Sequence, residues 1–161
     1  MPDIAARFAL PLTLRDMTRA DIETMSWSGG QAHLSNMHLQ LQRAEAGNVD
    51  YVVACPPSDI PVAKCGIDYR AAPGTGTIWQ VAVHPALQSL GIGTALLAYA
   101  EQRIRARRID TARLSVEQDN PRARKLYERL GYVADHDVRE AWMTDDGCYE
   151  TVCTVMLKPL K

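Results

Sequence analysis

The sequence predicts an α/β fold of the α+β kind, with a mixed central sheet of about seven strands flanked by about four helices. The first half reads as a meander of strands joined by tight turns, whereas the second alternates strand, helix, strand and helix. A glycine corner, Gln88-Ser89-Leu90-Gly91-Ile92-Gly93, follows directly on an apolar strand and opens a helix. With 161 residues, 47% of them hydrophobic, the chain can bury a full core without disulfides. No linker, repeat or low-complexity tract divides it, so one domain over residues 1–161 is expected.

Residues 10–15 alternate apolar and polar as a short strand does. Thr18 stands three residues before Asp21, a capping-box spacing that starts a helix running to about residue 25. Residues 26–30 form a loop with Trp27, and residues 31–46 are mostly good helix formers stopped by Gly47-Asn48. Residues 51–55 and 62–69 read as antiparallel strands joined through Pro56-Pro57-Ser58-Asp59. Pro73-Gly74-Thr75-Gly76 then turns the chain into the strand at 78–83. The helix after the glycine corner has Ile92, Leu96, Leu97, Ala100 and Ile104 on one core stripe, with Glu101, Arg105 and Arg108 facing away. A second apolar strand at 112–116 leads to Asn120-Pro121, an N-cap followed by a favoured first helical residue. That helix stops at Gly131-Tyr132. A strand to about residue 138, a mixed stretch to Met143, an acidic turn at 144–147 and a strand at 151–157 close the chain.

Lys+Arg of 18 against Asp+Glu of 19 gives a net charge of -1, so nothing in the total argues for a nucleic-acid partner. The local basic runs at 103–108 and 122–129 read as solvated helix faces. Cys55, Cys65, Cys148 and Cys153 form no Cys-x-x-Cys pair and no histidine flanks them at ligand spacing, so no metal is expected. His33 and His38 are five residues apart, off a common helix face. No secretory signal opens the chain, and no run approaches the ~20 apolar residues that span a bilayer. A cytoplasmic protein with no membrane partner is the expectation.

Gly91 and Gly93 permit a tight corner and leave backbone N–H groups uncovered at a helix N-terminus, where a phosphate can bind. A plain tight turn explains the same residues. The corner is neither a P-loop, which needs a following Lys-Ser/Thr, nor a dinucleotide fingerprint, which needs three glycines.

Val81-Ala82-Val83-His84-Pro85 followed by Gln88-x-x-Gly91-x-Gly93 resembles the acetyl-CoA signature of the GNAT acetyltransferase superfamily. Asn120-Pro121-x-Ala123-x-x-Leu126-Tyr127-x-x-x-Gly131-Tyr132 resembles that family's closing helix. The resemblance implies a GNAT-like fold in which strands 78–83 and 112–117 form a parallel pair that splays apart. It implies acetyl-CoA as co-substrate, held along Val81, Ala82 and Val83, around Gln88, Ser89, Leu90, Gly91, Ile92, Gly93 and Thr94, and beside Asn120, Arg124 and Tyr127. A backbone N–H of that strand would polarise the thioester carbonyl, an effect commonly worth ~3 kcal/mol. Tyr127 is implied as general acid on the leaving thiolate, although it also fits an apolar stripe with Ala123, Leu126 and Leu130.

Glu117 and His84 are alternative general bases. A solvated strand end explains Glu117 equally well, and His84 occupies a variable family position. Acceptor residues in such a fold come from the first helices and the last hairpin, here Trp27, His33, His38, Trp79, Trp142 and Tyr149. The same segments hold Asp135, Asp137, Asp145, Asp146 and Glu150, which suit a cationic amine or are simply solvated charges. The reading is an N-acetyltransferase using direct transfer to a small-molecule amine, with a homodimer common in the family. A protein or peptide amine acceptor and a non-catalytic acyl-CoA-binding module are the alternatives.

Overall fold

In the computed structural model, which describes Asp3 and residues 6–161, seven strands share one sheet. The chain runs β1 (Thr13–Asp16), α1 (Arg19–Ile22), α2 (Gln31–Glu45), β2 (Val49–Cys55), β3 (Ala63–Asp68) and β4 (Gly76–Val83). It continues through α3 (Ile92–Ala106), β5 (Thr111–Glu117), α4 (Pro121–Arg129), β6 (Val133–Thr144) and β7 (Gly147–Pro159). The sheet order is β1-β2-β3-β4-β5-β7-β6, and among the described residues only β4 and β5 are parallel.

Strand periodicity explains the two-sided core. Along β2, Val52 and Ala54 join α3 residues Leu96, Leu97 and Ala100 in one cluster, while Tyr51, Val53 and Cys55 join Met37 and Leu41 of α2 in the other. Burial on both faces is why residues 51–55 read as a continuous apolar run. Cys55 and Cys65 are both buried free thiols, as small hydrophobes in strands should be.

Three expectations need correction. The first helix is a single turn ending at Ile22, because Thr24 and Met25 already bond three residues back. Glu101 faces inward, at 5% exposure, where its carboxylate accepts from Lys158 Nζ at 2.9 Å and from Tyr132 Oη at 3.0 Å. The mixed stretch to Met143 is strand: β6 and β7 pair continuously from Val133↔Leu157 to Thr144↔Gly147. Most of β6 is exposed, so cross-strand pairing rather than apolar alternation defines it.

The parallel ladder of β4 and β5 holds only Gly76↔Ala112, Thr77↔Arg113 and Ile78↔Leu114. Beyond these pairs each strand keeps its outer partner, β4 on β3 to Val83 and β5 on β7 to Glu117, while their inner edges part. A bulge marks the divergence: register passes from Lys64↔Ala82 to Gly66↔Trp79, and Gln80 takes a φ of 51°. Lys64, 1% exposed, donates to the Gln80 carbonyl and to its Oε1, both at 3.3 Å. Tyr51 Oη donates to the same Oε1, and Gln80 Nε2 donates to Asn36 Oδ1 at 3.0 Å. Gly66 lets the Trp79 indole lie where a Cβ would come within 2.3 Å.

Among the described residues, no helix is long and apolar enough to cross a membrane. Nor do three or more His, Cys, Asp or Glu side chains group to hold a metal ion.

Burial lowers the Lys64 pKa from 10.5 to about 8. The unfolded chain therefore binds that proton more tightly, and native stability rises as pH climbs between those two values. The penalty below this window is about 3 kcal/mol. Replacing Lys64→Met is expected to remove that rise, read as urea unfolding free energies at about pH 7 and about pH 10.

Candidate active site

Where β4 and β5 part, two clefts open and meet. One, of about 980 Å³, lies between the strand edges, α2 and β6. The other, of about 850 Å³, lies between the end of β4, the glycine corner and α4. Val81, Asn120, Ala123 and Tyr127 line both.

The second cleft is walled by cations and by the start of α3. After Val83 the chain makes a 3-10 turn at Pro85–Leu87, then reaches Gly91 at φ 86°, a left-handed position that suits glycine, at the N-cap of α3. Among the described residues no side chain caps this end of α3, which leaves its first N–H groups open. Arg122 reaches across from α4, donating to Gln88 Oε1 at 2.8 Å and to Ser89 Oγ at 2.6 Å. Gln88 Nε2 donates back to the Val83 carbonyl at 3.3 Å. Lys125 and Arg129 line the same cleft, at spacings that put all three cations on one side of α4. The basic run at 122–129 is therefore a cleft wall and not merely a solvated face.

At the junction, Asn120 Oδ1 accepts from Ala123 N at 3.2 Å, so the predicted N-cap is made by a residue that lines both clefts. Tyr127 is 6% exposed, with its ring edge-on to Tyr132 at 6.1 Å between centroids. Burial pushes its phenol up to about 12, so it is protonated at neutral pH.

The first cleft has carboxylates near this junction. Glu117 ends β5, and Glu140 projects from β6 on the same side of the sheet. Burial and the neighbouring Asp119 hold the Glu117 carboxyl above its ordinary value. Between them, Cys153 is pushed up to about 12 by burial and then by Glu140. From α2, His33 turns in an Nε2 that is buried without a partner. Burial, aided by the Lys64 charge, lowers its pKa to about 4, leaving a neutral ring. Trp79, Trp142, Leu39 and Met143 supply apolar wall, and Arg113 stands further down β5.

Most of the cofactor residues expected from the sequence meet here. Val81, Ala82 and Val83 line the second cleft along β4, as do Gln88, Ser89, Gly91, Gly93 and Thr94 at the corner. Glu117 and Tyr127 share the first cleft. Four residues lie outside the walls of both. Ile92 is core at 4% exposure, and Leu90 turns outward at 64%. Arg124 pairs with Glu128 at 2.9 Å and reaches Thr154 Oγ1 at 3.4 Å. His84 accepts from Ala86 N at 3.1 Å and packs at a tilt against Trp27, 5.4 Å between ring centroids.

Of the acceptor-side residues, His33, Trp79 and Trp142 line the first cleft, whereas Trp27, His38 and Tyr149 do not. Three of the five acidic residues make contacts of their own. Asp145 accepts from Gln31 N at 3.0 Å and from Ala32 N at 2.7 Å, capping α2 from the hairpin tip where Gly30 offers no side chain. Asp137 accepts from Thr154 Oγ1 at 2.8 Å, and Asp135 meets His136 at 2.6 Å. Sequence reasoning missed Arg122, Lys125, Arg129, Glu140 and Asn36. The spacing of the three cations was the one available signal, while Glu140 had none because it falls in the stretch after residue 138 that lacks a clear strand pattern.

A profile of the Acetyltransferase (GNAT) family matches residues 16–132. The mycothiol acetyltransferase of Acidimicrobium ferrooxidans is 39% identical over 74 residues, which are 45% of this chain and 24% of that protein. The chain thus spans about a quarter of that relative's length. The crystal structure of the ribosomal-protein-S18-alanine N-acetyltransferase from Escherichia coli superposes with a TM-score of 0.72 at 20% identity, covering 94% of this chain and 95% of that one. A spermidine/spermine N-acetyltransferase from Vibrio cholerae does so at 0.72 with 17% identity, covering 92% of each chain. At these identities the two structures share the fold: a mixed seven-stranded sheet with one parallel pair.

Replacing Asp145→Ala removes both caps on α2 and the tie between α2 and the hairpin tip. The expected cost is about 1 kcal/mol, with faster amide hydrogen exchange confined to the first turn of α2.

Proposed function

The chain belongs to the Acetyltransferase (GNAT) family, and from that premise we propose that it is an N-acetyltransferase moving an acetyl group from acetyl-CoA to a small-molecule primary amine. The observation that carries this reading is one junction, at Asn120 and Tyr127, shared by a cation-walled cleft and a carboxylate-bearing one.

The residues present fit acetyl-CoA. Arg122, Lys125 and Arg129, with the open N–H groups of α3, would hold the phosphates. The inner edge of β4 past Ile78, unpaired by β5, offers backbone groups at Val81 and Val83 to an amide-bearing arm. When bound, the cofactor supplies an acetyl group activated as a thioester.

Tyr127 holds its phenolic proton at neutral pH and gives it to the departing thiolate. An alkylammonium of pKa about 10.4 must lose a proton before it can attack. Glu117, with its carboxyl raised by burial, is the base on that side of the junction. His84 is the weaker candidate because it lines neither cleft. One N–C bond forms for one C–S bond broken, with one proton delivered to sulfur and one released to solvent.

Direct attack is favoured over an acyl-cysteine route. Cys65 is fully buried and its thiol is pushed up to about 12, as is that of Cys153, so neither is a thiolate at neutral pH.

Replacing Tyr127→Phe is expected to lower kcat by roughly 100-fold while the Kd for acetyl-CoA, measured by calorimetry, stays unchanged. A non-catalytic CoA-binding module would have no turnover to lose. Replacing Arg122→Ala is expected to raise that Kd about tenfold, with a smaller effect on kcat.

A further inference from the structure

Glu117 and Arg113 stand on one face of β5 with Ser115 between them, because alternate strand residues share a face. All three line the first cleft. Glu117 lies at the end nearest Glu140, and Arg113 sits four residues away, about 13 Å along an extended strand. The cleft therefore has negative charge at one end and a guanidinium at the other.

That guanidinium stands apart from the protein's other sheltered arginines. Among the described residues, five arginines are neither fully exposed nor fully buried: Arg15, Arg43, Arg103, Arg113 and Arg124. Four of them pair with a carboxylate: Arg15 with Asp21 at 2.7 Å, Arg43 with Asp68 at 2.6 Å, Arg103 with Asp16 at 2.7 Å and Arg124 with Glu128 at 2.9 Å. Arg113 has no such pair among the described residues. A half-sheltered cation without a partner loses hydration and gains no compensating hydrogen bonds. The planar guanidinium fork is the side chain best matched to a carboxylate or another oxyanion.

We infer that the acceptor is bifunctional, with its amine held at Glu117 and Glu140 and an oxyanion, best a carboxylate, held by Arg113. This rests on the acetyltransferase reading and narrows its acceptor from primary amines in general to amino acids whose amine and carboxylate are separated by a chain. A diamine or polyamine would place a second ammonium against Arg113. A simple alkylamine would leave Arg113 unpaired. An amino-carboxylate satisfies both ends, with Trp79 and Leu39 as apolar wall for the connecting chain.

The test compares acceptors of matched length in a thiol-release assay with acetyl-CoA: ω-amino carboxylates, ω-aminoalkyl phosphates, n-alkylamines and α,ω-diamines, each over a graded number of methylenes. The expected result is a kcat/KM for the best amino-carboxylate at least tenfold above the alkylamine and diamine of equal length. Arg113→Gln should erase that difference through KM, and Arg113→Lys should restore part of it. Preference for the aminoalkyl phosphate, lost in the same way, also supports an oxyanion held by Arg113 and identifies it as phosphate. Equal or better turnover of alkylamine or diamine overturns the inference, as does a preference that survives Arg113→Gln. Calorimetry with acetyl-CoA on the same preparations separates the two levels. Binding without acetylation of any amine in the series overturns the bifunctional acceptor, whereas failure of the wild-type protein to bind acetyl-CoA overturns the acetyltransferase reading beneath it.

Discussion

Two parallel strands that pair over three residues and then part leave backbone donors and acceptors exposed along both inner edges. Buried unpaired groups of this kind are costly, so the edges are tolerable only where solvent or a ligand reaches them. That constraint organises the rest of the structure. The outer partners β3 and β7 hold the strands to their ends, and the Gln80 bulge turns β4 away. Lys64, Tyr51 and Asn36 all bond the bulged residue, so a buried lysine that weakens the core at neutral pH also fixes the geometry of the gap.

The gap divides space of opposite electrostatic character. Arg122, Lys125 and Arg129 face the glycine corner and the open end of α3 on one side, while Glu117 and Glu140 stand on the other. A total charge of -1 conceals this separation. Tyr127 lines both, and burial pushes its phenol up to about 12, so it adds no charge to either cleft at neutral pH. The Asp145 cap ties the hairpin to α2, so the wall bearing Glu140 and Trp142 is set against the helix bearing His33 and Asn36.

Legibility followed the range of the interactions. The glycine corner, the Asn120-Pro121 helix start and the strand before the corner were readable because backbone conformation and capping act over a few residues. The burial of Tyr127 was readable because it belongs to an apolar helical stripe with Ala123, Leu126 and Leu130. Glu101 was misread because an amphipathic count treats a carboxylate as solvent-facing, whereas Lys158 and Tyr132, distant in sequence, satisfy it in the interior. The second half of β6, to Met143, reads as a mixed stretch because an exposed strand has no apolar alternation, and its order comes from β7.

By itself the sequence determined the order of elements, the strand character of the first apolar runs, the glycine corner that opens α3 and the Asn120-Pro121 start of α4. All of these arise from periodicity and local conformational preference. Tertiary structure alone decided which solvated-looking charges became walls. Arg122 met Ser89 across 33 residues, Asp145 met Ala32 across 113, and Arg113 was left in the cleft with no carboxylate partner among the described residues. Side-chain charges act through space, and only the folded sheet, parted at β4 and β5, determines which of them face each other.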